Sequence, residues 1–595
     1  MACKYLWPCC LLLCLTQAVT PSYIGDYHPH LERNSKVADE YQEQDENYWK
    51  NKAREELDKS LQDFDNINTN IAKNIIIFIG DGMSLPTVVA SRIYKAQLNN
   101  EFDAEGNLLS FEKFPNVGLS KTYGVDRQTP DSASTASAIY SGVKTNYHTL
   151  GFDNSIILSN AASQDEANKV ETILKWAQDQ GKSTGLVTTA RVTHATPAAL
   201  YAHIADRGWE CDREMNQADG GNKTKEGDIT RQMVEQEPGK NLNVVLGGGL
   251  NSFCPNNTNA AKHTACKRAT ELKTKTSEAD LEKLYPDHAY WDCTRDDERD
   301  LVSEFLDKEN ALFVSTRDEL NQINPDNVDT LLGLFSESFM AYEDERLESC
   351  KNASTCLEPS LSEMTTKAIS ILKKNSNGFF LMVEGSNIDH SHHNSRAAQA
   401  LLETVEFDNA IEAALKEVDT KDTLIIVTAD HGHTMSISGY QERGQDIIGV
   451  VGNTKADDNT DFMILNYGNG EGFDQITTGN LTNGTCYVVR KDPKDDPDYK
   501  TYGFKHPSPV PIGSESHGGD DVGIYAIGPY SHLFKSVHEQ SYIAYVMSYS
   551  ACIGPYKDDT HCISNPPSSA TNTTSSLAIL SSIILIAILQ SVFIS

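Results

Sequence analysis

The stretch from residue 378 to 393, GFFLMVEGSNIDHSHH, constrains the fold more than any other part of the chain. Residues 379–383 form an unbroken apolar run, which is typical of a strand buried on both faces of a parallel sheet. The run ends at Glu384. If the segment after it is helical, Asp389 and His393 stand at positions i and i+4 and face the same way. A carboxylate and an imidazole on one helix face make half of a zinc site, because Zn²⁺ takes about four ligands. A polar, solvated loop is the alternative.

The same type of strand recurs along the chain, and it predicts an α/β fold. Apolar runs lie at residues 74–79, 184–189, 243–246 and 423–428, separated by segments of helix length. This alternation predicts a large, mostly parallel sheet flanked by helices on both faces. Residues 434–511 are rich in Gly, Asn, Asp, Thr and Pro, which predicts a small, loop-rich inserted subdomain. A length of 595 residues allows one large domain with insertions, or two or three smaller domains.

Both ends of the chain carry the pattern of targeting signals. Residues 1–20 combine an early lysine, an apolar core and a small-residue end, as secretory signal peptides do. Residues 577–594 are predominantly apolar and uncharged, follow a polar stretch rich in small residues, and are not followed by lysine or arginine. This order is typical of a glycosylphosphatidylinositol (GPI) attachment signal, with attachment expected near Ser568. A tail-anchored helix is the alternative, since a membrane span needs about 20 residues.

The expected organisation therefore has six parts. They are a signal peptide (1–20), an N-terminal helical arm (21–66), an α/β core (67–433), the loop-rich insert (434–511), the end of the core with a last metal-ligand histidine (512–563) and the attachment signal (564–595), whose tail is removed from about residue 569.

Secretion would place the chain in an oxidising compartment, where disulfides form. After removal of the signal peptide nine cysteines remain, an odd number that leaves one of them free or paired between chains. The close pair Cys552 and Cys562 is the simplest disulfide to expect. Sequons for N-glycosylation are compatible with the same route, and they begin at Asn222, Asn256, Asn352, Asn480 and Asn483.

The formal net charge of −33 disfavours nucleic acid as a partner. It also means that an anionic substrate would need a strongly positive local site, because the field of the whole chain repels it.

Three of the predicted strands end in a carboxylate, at Asp81, Glu384 and Asp430. Ligands of open α/β sheets collect at the carboxyl ends of the strands. Clustered carboxylates raise one another's pKa unless cations neutralise them, so divalent metal ions are expected there. His431 and His433 follow Asp430, and His517 lies in a Gly-rich stretch near the end of the chain. For His517 a solvated loop residue is the alternative.

A candidate nucleophile, Ser132, lies in the stretch TPDSASTASA. A Pro-Asp-Ser start followed by small helix formers predicts a helix N-terminus. A serine there meets free backbone N–H groups and the positive end of the helix dipole, which suit a phosphate group. Simple N-capping by Asp131 or Ser132 is the alternative. The sequence contains no Gly-x-Ser-x-Gly motif and marks no general-base histidine for this serine, so metal coordination is the other means of activating it.

Taken together, these residues resemble the alkaline phosphatases, in particular the animal, GPI-anchored branch of that family. The resemblance runs from about Trp49 to Cys562 and rests on the motifs NIIIFIGDGM, TPDSASTASA, TTARVTHATPAALYAH, FFLMVEGSNIDHSHH, VTADHGH and ESHGGDD. It implies the fold of that family with a crown-like insert, and a membrane-anchored homodimer that hydrolyses many phosphate monoesters through a phosphoserine intermediate. It also implies two zinc ions and one magnesium ion per chain, the zinc ions about 4 Å apart.

The resemblance implies a role for each matched residue. One zinc ion would be held by Asp389, His393 and His517, and the second by Asp81, Asp430 and His431 with Ser132 against it. Magnesium would be held by Asp81, Thr196 and Glu384, with His194 beside it but not bound to it. Arg207 would grip the phosphate group of the substrate.

The chain also departs from the family pattern. Ser336 follows Phe335 where animal relatives with a calcium site carry a glutamate, so we expect no tightly bound calcium. Cys211 has no partner at the family's usual position, whereas Cys552 and Cys562 match a family disulfide. Functions of other classes stay open at this point, namely a non-catalytic surface glycoprotein with the same fold, or a related phosphodiesterase or sulfatase.

Overall fold

A ten-stranded sheet forms the centre of the protein. The computed structural model describes residues 46–65, 67–218, 227–267, 293–452, 454–480 and 486–564. The described strands are, in chain order, β1 (Asn74–Gly80), β2 (Asn116–Lys121), β3 (Ser183–Arg191), β4 (Val244–Gly248), β5 (Ala311–Val314), β6 (Thr330–Leu334), β7 (Phe379–Gly385), β8 (Thr423–Thr428), β9 (Gly432–His433), β10 (Ser436–Ile437), β11 (Leu465–Asn466), β12 (Ile476–Asn480), β13 (Cys486–Arg490), β14 (His517–Gly518), β15 (Val522–Ile527) and β16 (Ser536–Glu539).

The sheet is mostly parallel, as predicted. Its strand order is β16-β2-β15-β8-β1-β7-β3-β4-β6-β5. Only β15 runs antiparallel, between β2 and β8, and every other neighbouring pair is parallel. The strands β1, β7 and β8, whose ends carry the predicted carboxylates, are neighbours at the middle of the sheet. The predicted fold class is therefore confirmed.

The five apolar runs identified in the sequence correspond to β1, β3, β4, β7 and β8. Five further strands of the sheet were not predicted. In β2 and β5, part of the side chains are exposed, so no buried run marks them. The strands β6 and β15 are buried but contain Gly333 and Gly523, and an interior glycine weakens the strand signal.

The described helices lie on both faces of the sheet. They are α1 (Glu46–Asp65), α2 (Leu85–Leu98), α3 (Ser132–Ser141), α4 (Ile173–Asp179), α5 (Ala195–Ala198), α6 (Asp212–Ala218), α7 (Ile229–Glu235), α8 (Leu250–Phe253), α9 (Leu301–Phe305), α10 (Arg317–Gln322), α11 (Glu343–Ser349), α12 (Leu361–Leu372), α13 (Asn387–His393), α14 (Ala397–Glu417), α15 (Tyr542–Ala551) and α16 (Thr560–Ser564).

The central strands bury side chains on both faces, and successive residues enter different cores. Ile75 and Ile77 of β1 belong to one hydrophobic core, which also contains residues of α3, α4 and α15. Ile76 and Phe78 belong to the other core, with residues of α12 and α14. Because a strand alternates its side chains with a period of two, a strand buried on both faces is apolar along most of its length. Residues 75–79 of β1 follow this pattern.

The segment with the loop-rich composition lies outside the large sheet. Among the described residues of 434–511 there are two short antiparallel ribbons, β10 with β11 and β12 with β13. Within the described residues, no helix is both long enough and apolar enough to cross a membrane. The predicted signal peptide, the apolar tail at 577–594 and Ser568 lie outside the described residues.

Four disulfides join described cysteines. Cys552 pairs with Cys562, as expected, and Cys254 pairs with Cys266 and Cys350 with Cys356. Cys211 finds its partner in Cys293, which lies 82 residues further along the chain. Sequence comparison with the family pattern missed this bond because the partner comes from a distant segment, whose approach only the fold decides.

The packing of the hydrophobic core that contains Ile75 and Ile77 predicts how much a cavity there would destabilise the protein. Phe380 of β7 is completely buried. We expect Phe380→Ala to lower the free energy of unfolding by about 3–5 kcal/mol, because a large cavity replaces the ring. Val537 of β16 is 51% exposed, so Val537→Ala should stay within about 0.5 kcal/mol of the unchanged protein. Urea unfolding of both variants measures this, and equal costs would contradict the packing described here.

Candidate functional site

The three predicted carboxylates meet at the carboxyl ends of neighbouring strands. Asp81 directly follows β1, Glu384 lies near the end of β7, and Asp430 comes just after β8. Ile79 of β1 is level with both Glu384 and Thr428 of β8, so the three acids are held at the same edge. All three side chains are completely buried.

Burial of these acids makes their charges unfavourable. It raises the pKa of Asp81 and of Asp430 above the usual range, and neighbouring carboxylates raise that of Asp81 further. Burial raises the pKa of Glu384 to about 7, although the Thr188 hydroxyl donates a hydrogen bond of 2.5 Å to it. Thr196 is buried nearby. A cation bound among these oxygens would remove both the repulsion and the cost of burial.

One group of candidate ligands is built on α13. The backbone N–H groups of Ser386 and Asn387, at the start of this helix, donate to the Thr189 hydroxyl at the end of β3. Asp389 and His393 share one face of the helix, and their side chains approach to 3.4 Å. This is the i,i+4 relation expected from the sequence.

His517 reaches the same place from the other end of the chain. Its short strand β14 pairs antiparallel with β9, opposite His433. His517 Nε2 lies 3.4 Å from an Asp389 oxygen and 3.1 Å from His393 Nε2. The Nδ1 atom of His517 lies 2.8 Å from the Pro130 carbonyl, and that of His393 lies 2.5 Å from the Glu515 carbonyl. Both imidazoles therefore donate through Nδ1 and turn the lone pair of Nε2 towards the same point, where a metal ion fits.

His433 lies within this group, although the sequence did not mark it as a ligand. Its Nε2 is 2.6 Å from Asp389 Oδ1, and its Nδ1 contacts a Glu515 carboxylate oxygen. Burial alone would lower the pKa of His433, but Glu515 and Asp389 raise it to about 10. Because both nitrogens are taken by carboxylates, His433 orients Asp389 and leaves Oδ2 of that residue for an ion. Sequence reasoning missed Glu515, whose only signal is its place two residues before His517.

A second group of candidate metal ligands lies beside the candidate nucleophile, Ser132. His431 Nε2 lies 3.3 Å from Asp430, 3.5 Å from Asp81 and 3.1 Å from the hydroxyl oxygen of Ser132. Ser132 is the first residue of α3 and is 2% exposed. The N-cap is Asp131, whose carboxylate accepts the N–H groups of the first turn. Ser132 itself is therefore free of the capping role. The residues alone marked no histidine for this serine, whereas the family resemblance implied that Ser132 lies against the site of His431.

Arg207 is held on two sides. Its Nη1 donates to Asp131 at 3.0 Å, and its Nη2 lies 2.9 Å from His194 Nε2. Burial would raise the pKa of Asp131, but the guanidinium lowers it below the usual range. Burial and the adjacent Arg207 lower the pKa of His194 well below the usual range, so this imidazole is neutral.

At this edge of the sheet the described residues form three groups whose potential ligand atoms lie within 4.8 Å of one another in each group, and two of these groups share Asp81. The groups are Asp389, His393, His433 and His517; Asp81, Asp430 and His431; and Asp81, His194 and Glu384. Glu358 accepts the N–H of Ala341 and belongs to none of the potential metal-ligand groups found among the described residues.

Fold and site together define an α/β metallohydrolase with a serine at a helix N-terminus. The family model for alkaline phosphatases matches residues 72–553. The tissue-nonspecific isozyme of Homo sapiens is 40% identical over 516 residues, which cover 86% of this chain and 90% of that protein. Alkaline phosphatase 4 of Drosophila melanogaster is 39% identical over 554 residues, which cover 90% of this chain and 86% of that protein.

Solved structures agree on the fold. The alkaline phosphatase of Thermus thermophilus superimposes with a TM-score of 0.52 at 21% identity, covering 81% of this chain and 92% of that one. The chain belongs to the alkaline phosphatase family. It is a phosphomonoesterase, and its metal dependence follows from the same membership.

The contacts of Glu515 predict its effect on metal binding. We expect Glu515→Gln to weaken metal retention about 10- to 100-fold, the usual cost of disturbing a group that orients metal ligands. The amide removes the charge that fixes His433 against Asp389. Competition with a chelator measures the retention. Glu348→Gln is the control, because its side chain is 71% exposed on α11. Equal retention in both variants would contradict the orienting role.

Proposed function

We propose that this chain hydrolyses a broad range of phosphate monoesters through a phosphoserine intermediate on Ser132. The observation that carries the proposal is the position of the Ser132 hydroxyl, 3.1 Å from His431 Nε2 and beside the buried carboxylates of Asp81 and Asp430. The positive end of the α3 dipole favours an anion at the same place.

The donor atoms support two zinc sites and one magnesium site. Asp389, His393 and His517 supply a carboxylate oxygen and two imidazole nitrogens, which suit zinc. Asp81, Asp430 and His431 supply the second set, next to Ser132. Around Glu384 the oxygens of Asp81 and Thr196 make a set that suits magnesium. The buried oxygens Oδ1 of Asp81 and Oε1 of Glu384 have no hydrogen-bond partner, as expected of atoms that face an ion.

When bound, zinc ions supply Lewis acidity, which makes the serine hydroxyl and a water molecule easier to deprotonate and stabilises the leaving oxygen. The Ser132 oxygen attacks phosphorus in line with the ester oxygen, which departs with its electron pair. Water then attacks the phosphoserine, and the Ser132 oxygen leaves with the phosphorus–oxygen bonding pair. The hydroxyl stays at the N-terminus of α3 throughout, so its direction of attack is set by the helix.

Arg207 would hold the phosphate group during both steps. Its planar guanidinium can donate two parallel hydrogen bonds to non-bridging oxygens, which a lysine cannot match. Asp131 and His194 hold this side chain from two directions before any substrate binds. The proposed contacts are all to the phosphate group, so a wide range of leaving groups is accepted.

Loss of the nucleophile tests the proposal. We expect Ser132→Ala to form no covalent phosphoenzyme from labelled substrate, and its kcat/KM to fall by roughly 10³-fold or more, as when one member of a cooperating catalytic set is removed. Zinc content should stay the same, because alanine leaves the carboxylates and imidazoles in place. Ser134→Ala on the same helix is the control, since its hydroxyl bonds only to Asp131. Labelled phosphate on the Ser132→Ala protein would exclude Ser132 as the nucleophile.

The targeting patterns support a location for this activity. We propose that residues 1–20 direct secretion and that a GPI anchor at Ser568 replaces the apolar tail. The enzyme would then stay on the extracellular face of the cell membrane, where disulfides such as Cys552–Cys562 are stable.

The anchor leads to a simple measurement. Phosphatidylinositol-specific phospholipase should release the protein from membranes, because the lipid is then its only attachment. Release should be lost when the residues from 577 on are replaced by an authentic membrane-spanning helix. Retention of the natural protein, with the peptide 577–594 still attached, would indicate a tail-anchored helix instead.

The N-terminal arm supports a homodimer. Along α1, Trp49, Leu57 and Leu61 are 48%, 58% and 56% exposed, at spacings of eight and four residues that place them on one helix face. An isolated helix with an exposed apolar stripe gains stability by burying it. We propose that a second copy of this chain covers the stripe.

Charge on the stripe should therefore weaken association. We expect the double variant Leu57→Glu and Leu61→Glu to shift the mass measured by light scattering from dimer towards monomer. Lys59→Glu, on the same helix but outside the stripe, should leave the mass unchanged. If all proteins have the mass of a dimer at low concentration, then α1 does not form the interface.

A further inference from the structure

Residues 467–470, with the sequence YGNG, directly follow β11 in the loop-rich region of residues 434–511. They lie beside the candidate metal ligands on and around α13. These ligands, which we call the α13 group, are Asp389, His393, His433 and His517. Each of the three histidines is adjacent in sequence to a residue that the 467–470 segment contacts, namely His392, Thr434 and Ser516.

Tyr467 contacts the residue before His393. Its hydroxyl oxygen lies 2.8 Å from Nδ1 of His392, whose Nε2 lies 3.0 Å from the hydroxyl oxygen of Thr87 on α2. Tyr467 and His392 are both buried. The His392 ring is therefore held between the loop-rich region and the core. Because His392 belongs to α13 together with Asp389 and His393, these contacts fix the helix that carries two of the ligands.

Both glycines of the segment approach the residues around His433. The Gly468 N–H donates to the Thr434 hydroxyl at 3.0 Å, and the Thr434 N–H donates to a Glu515 carboxylate oxygen at 2.8 Å. Gly470 has a φ of 122°, and a Cβ atom there would lie 2.9 Å from the Cβ of Glu515. The backbone of the segment therefore packs directly on Glu515, the residue whose carboxylate contacts His433.

Asn469 supports the stretch that carries His517. Its Oδ1 accepts the N–H of Ser516 at 2.9 Å, and its Nδ2 donates to the Ser516 hydroxyl at 2.9 Å. One amide side chain thus acts as both acceptor and donor towards the residue before His517, which restricts the direction of that residue. The same stretch is joined to α13, because the N–H of Glu515 donates to the carbonyl of His393 at 2.8 Å.

We propose that residues 467–470 are positioning residues for the α13 group, so that the loop-rich region controls how tightly this group holds a metal ion. The inference rests on the proposed function, because it concerns one of the two proposed zinc sites. Four consecutive residues contact the neighbours of three ligands. Partners that orient metal ligands raise the affinity for the ion, because the ligands do not have to be ordered when it binds.

The other proposed zinc site is built differently. Asp81 and Asp430 come just after β1 and β8, which are paired neighbours in the centre of the sheet. His431 follows Asp430 in the chain. The sheet therefore positions these ligands. Weakening the 467–470 segment should release one zinc ion per chain and leave the second in place.

Stepwise chelation measures this difference. The natural protein and the variants Tyr467→Phe and Asn469→Ala are loaded with zinc and magnesium and titrated with a zinc chelator, and elemental analysis gives the ions left per chain. In both variants we expect one zinc ion to leave at a chelator concentration about tenfold lower than in the natural protein. The second zinc ion should leave at the same concentration in all three proteins. With cobalt in place of zinc, the visible spectrum of the ion that leaves first should change in the variants.

Two control variants remove similar bonds elsewhere in the loop-rich region. Tyr502→Phe removes a hydroxyl that joins this region to the Tyr94 hydroxyl on α2 at 2.7 Å. Asn466→Ala removes an amide that donates to Ser438 and to two carbonyls of the same region. Both controls should retain zinc as the natural protein does. If they lose zinc as early as Asn469→Ala, the effect is a general loosening of the region and the inference is overturned.

A double variant identifies the ion that is affected. His393→Ala removes a ligand of the α13 group directly, so adding Asn469→Ala should not change the retention of the zinc ion that remains. Excess zinc should restore the kcat of Asn469→Ala, because its ligands are intact. The inference is overturned if Asn469→Ala weakens retention equally with and without His393, or if Tyr467→Phe and Asn469→Ala retain zinc like the natural protein. A natural protein that holds fewer than two zinc ions per chain would overturn the proposed function itself, and the inference with it.

Discussion

Burial of like charges at the centre of the sheet is the constraint on which the site depends. Asp81, Glu384 and Asp430 are completely buried at the ends of three hydrogen-bonded neighbours, β1, β7 and β8. The acids cannot move apart, because the ladder hydrogen bonds set the register of their strands. Their raised pKa values express the repulsion and the lost hydration. Bound divalent cations would offset both the repulsion and the lost hydration. The arrangement of the strands therefore favours metal binding.

Hydrogen bonds from the Nδ1 atoms of two imidazoles to backbone carbonyls set the direction of the candidate metal-binding nitrogens. The carbonyl of Pro130 orients His517, and the carbonyl of Glu515 orients His393. Pro130 lies two residues before Ser132, so one short segment positions both the proposed nucleophile and His517, a candidate metal ligand from the far end of the chain. Donation through Nδ1 leaves each Nε2 with a fixed direction before an ion arrives, which is how outer hydrogen bonds raise metal affinity.

Asp131 connects the proposed nucleophile, Ser132, to Arg207, the proposed phosphate-binding group. Its carboxylate caps α3, and it also pairs with Arg207. The arginine in turn contacts His194. The Asp131 carboxylate therefore contacts both the start of α3, where Ser132 lies, and the Arg207 guanidinium. A shift of the helix or of the guanidinium would move this carboxylate and so affect the other. Such a network keeps several polar groups in register because every member has a partner.

The sequence by itself determined the fold class and the residue types of the site. Apolar runs such as 75–79 predict buried parallel strands, because a strand buried on both faces places most of its side chains in the hydrophobic cores. The acids after those runs and the motif residues of the family identified Asp81, Ser132, Arg207 and the metal-ligand candidates. Tertiary structure alone decided the partners of these residues. The contact of Glu515 with His433, the bond between Cys211 and Cys293, and the pairing of β14 with β9 each join distant segments. No local pattern encodes such contacts, since they depend on how the sheet brings its loops together.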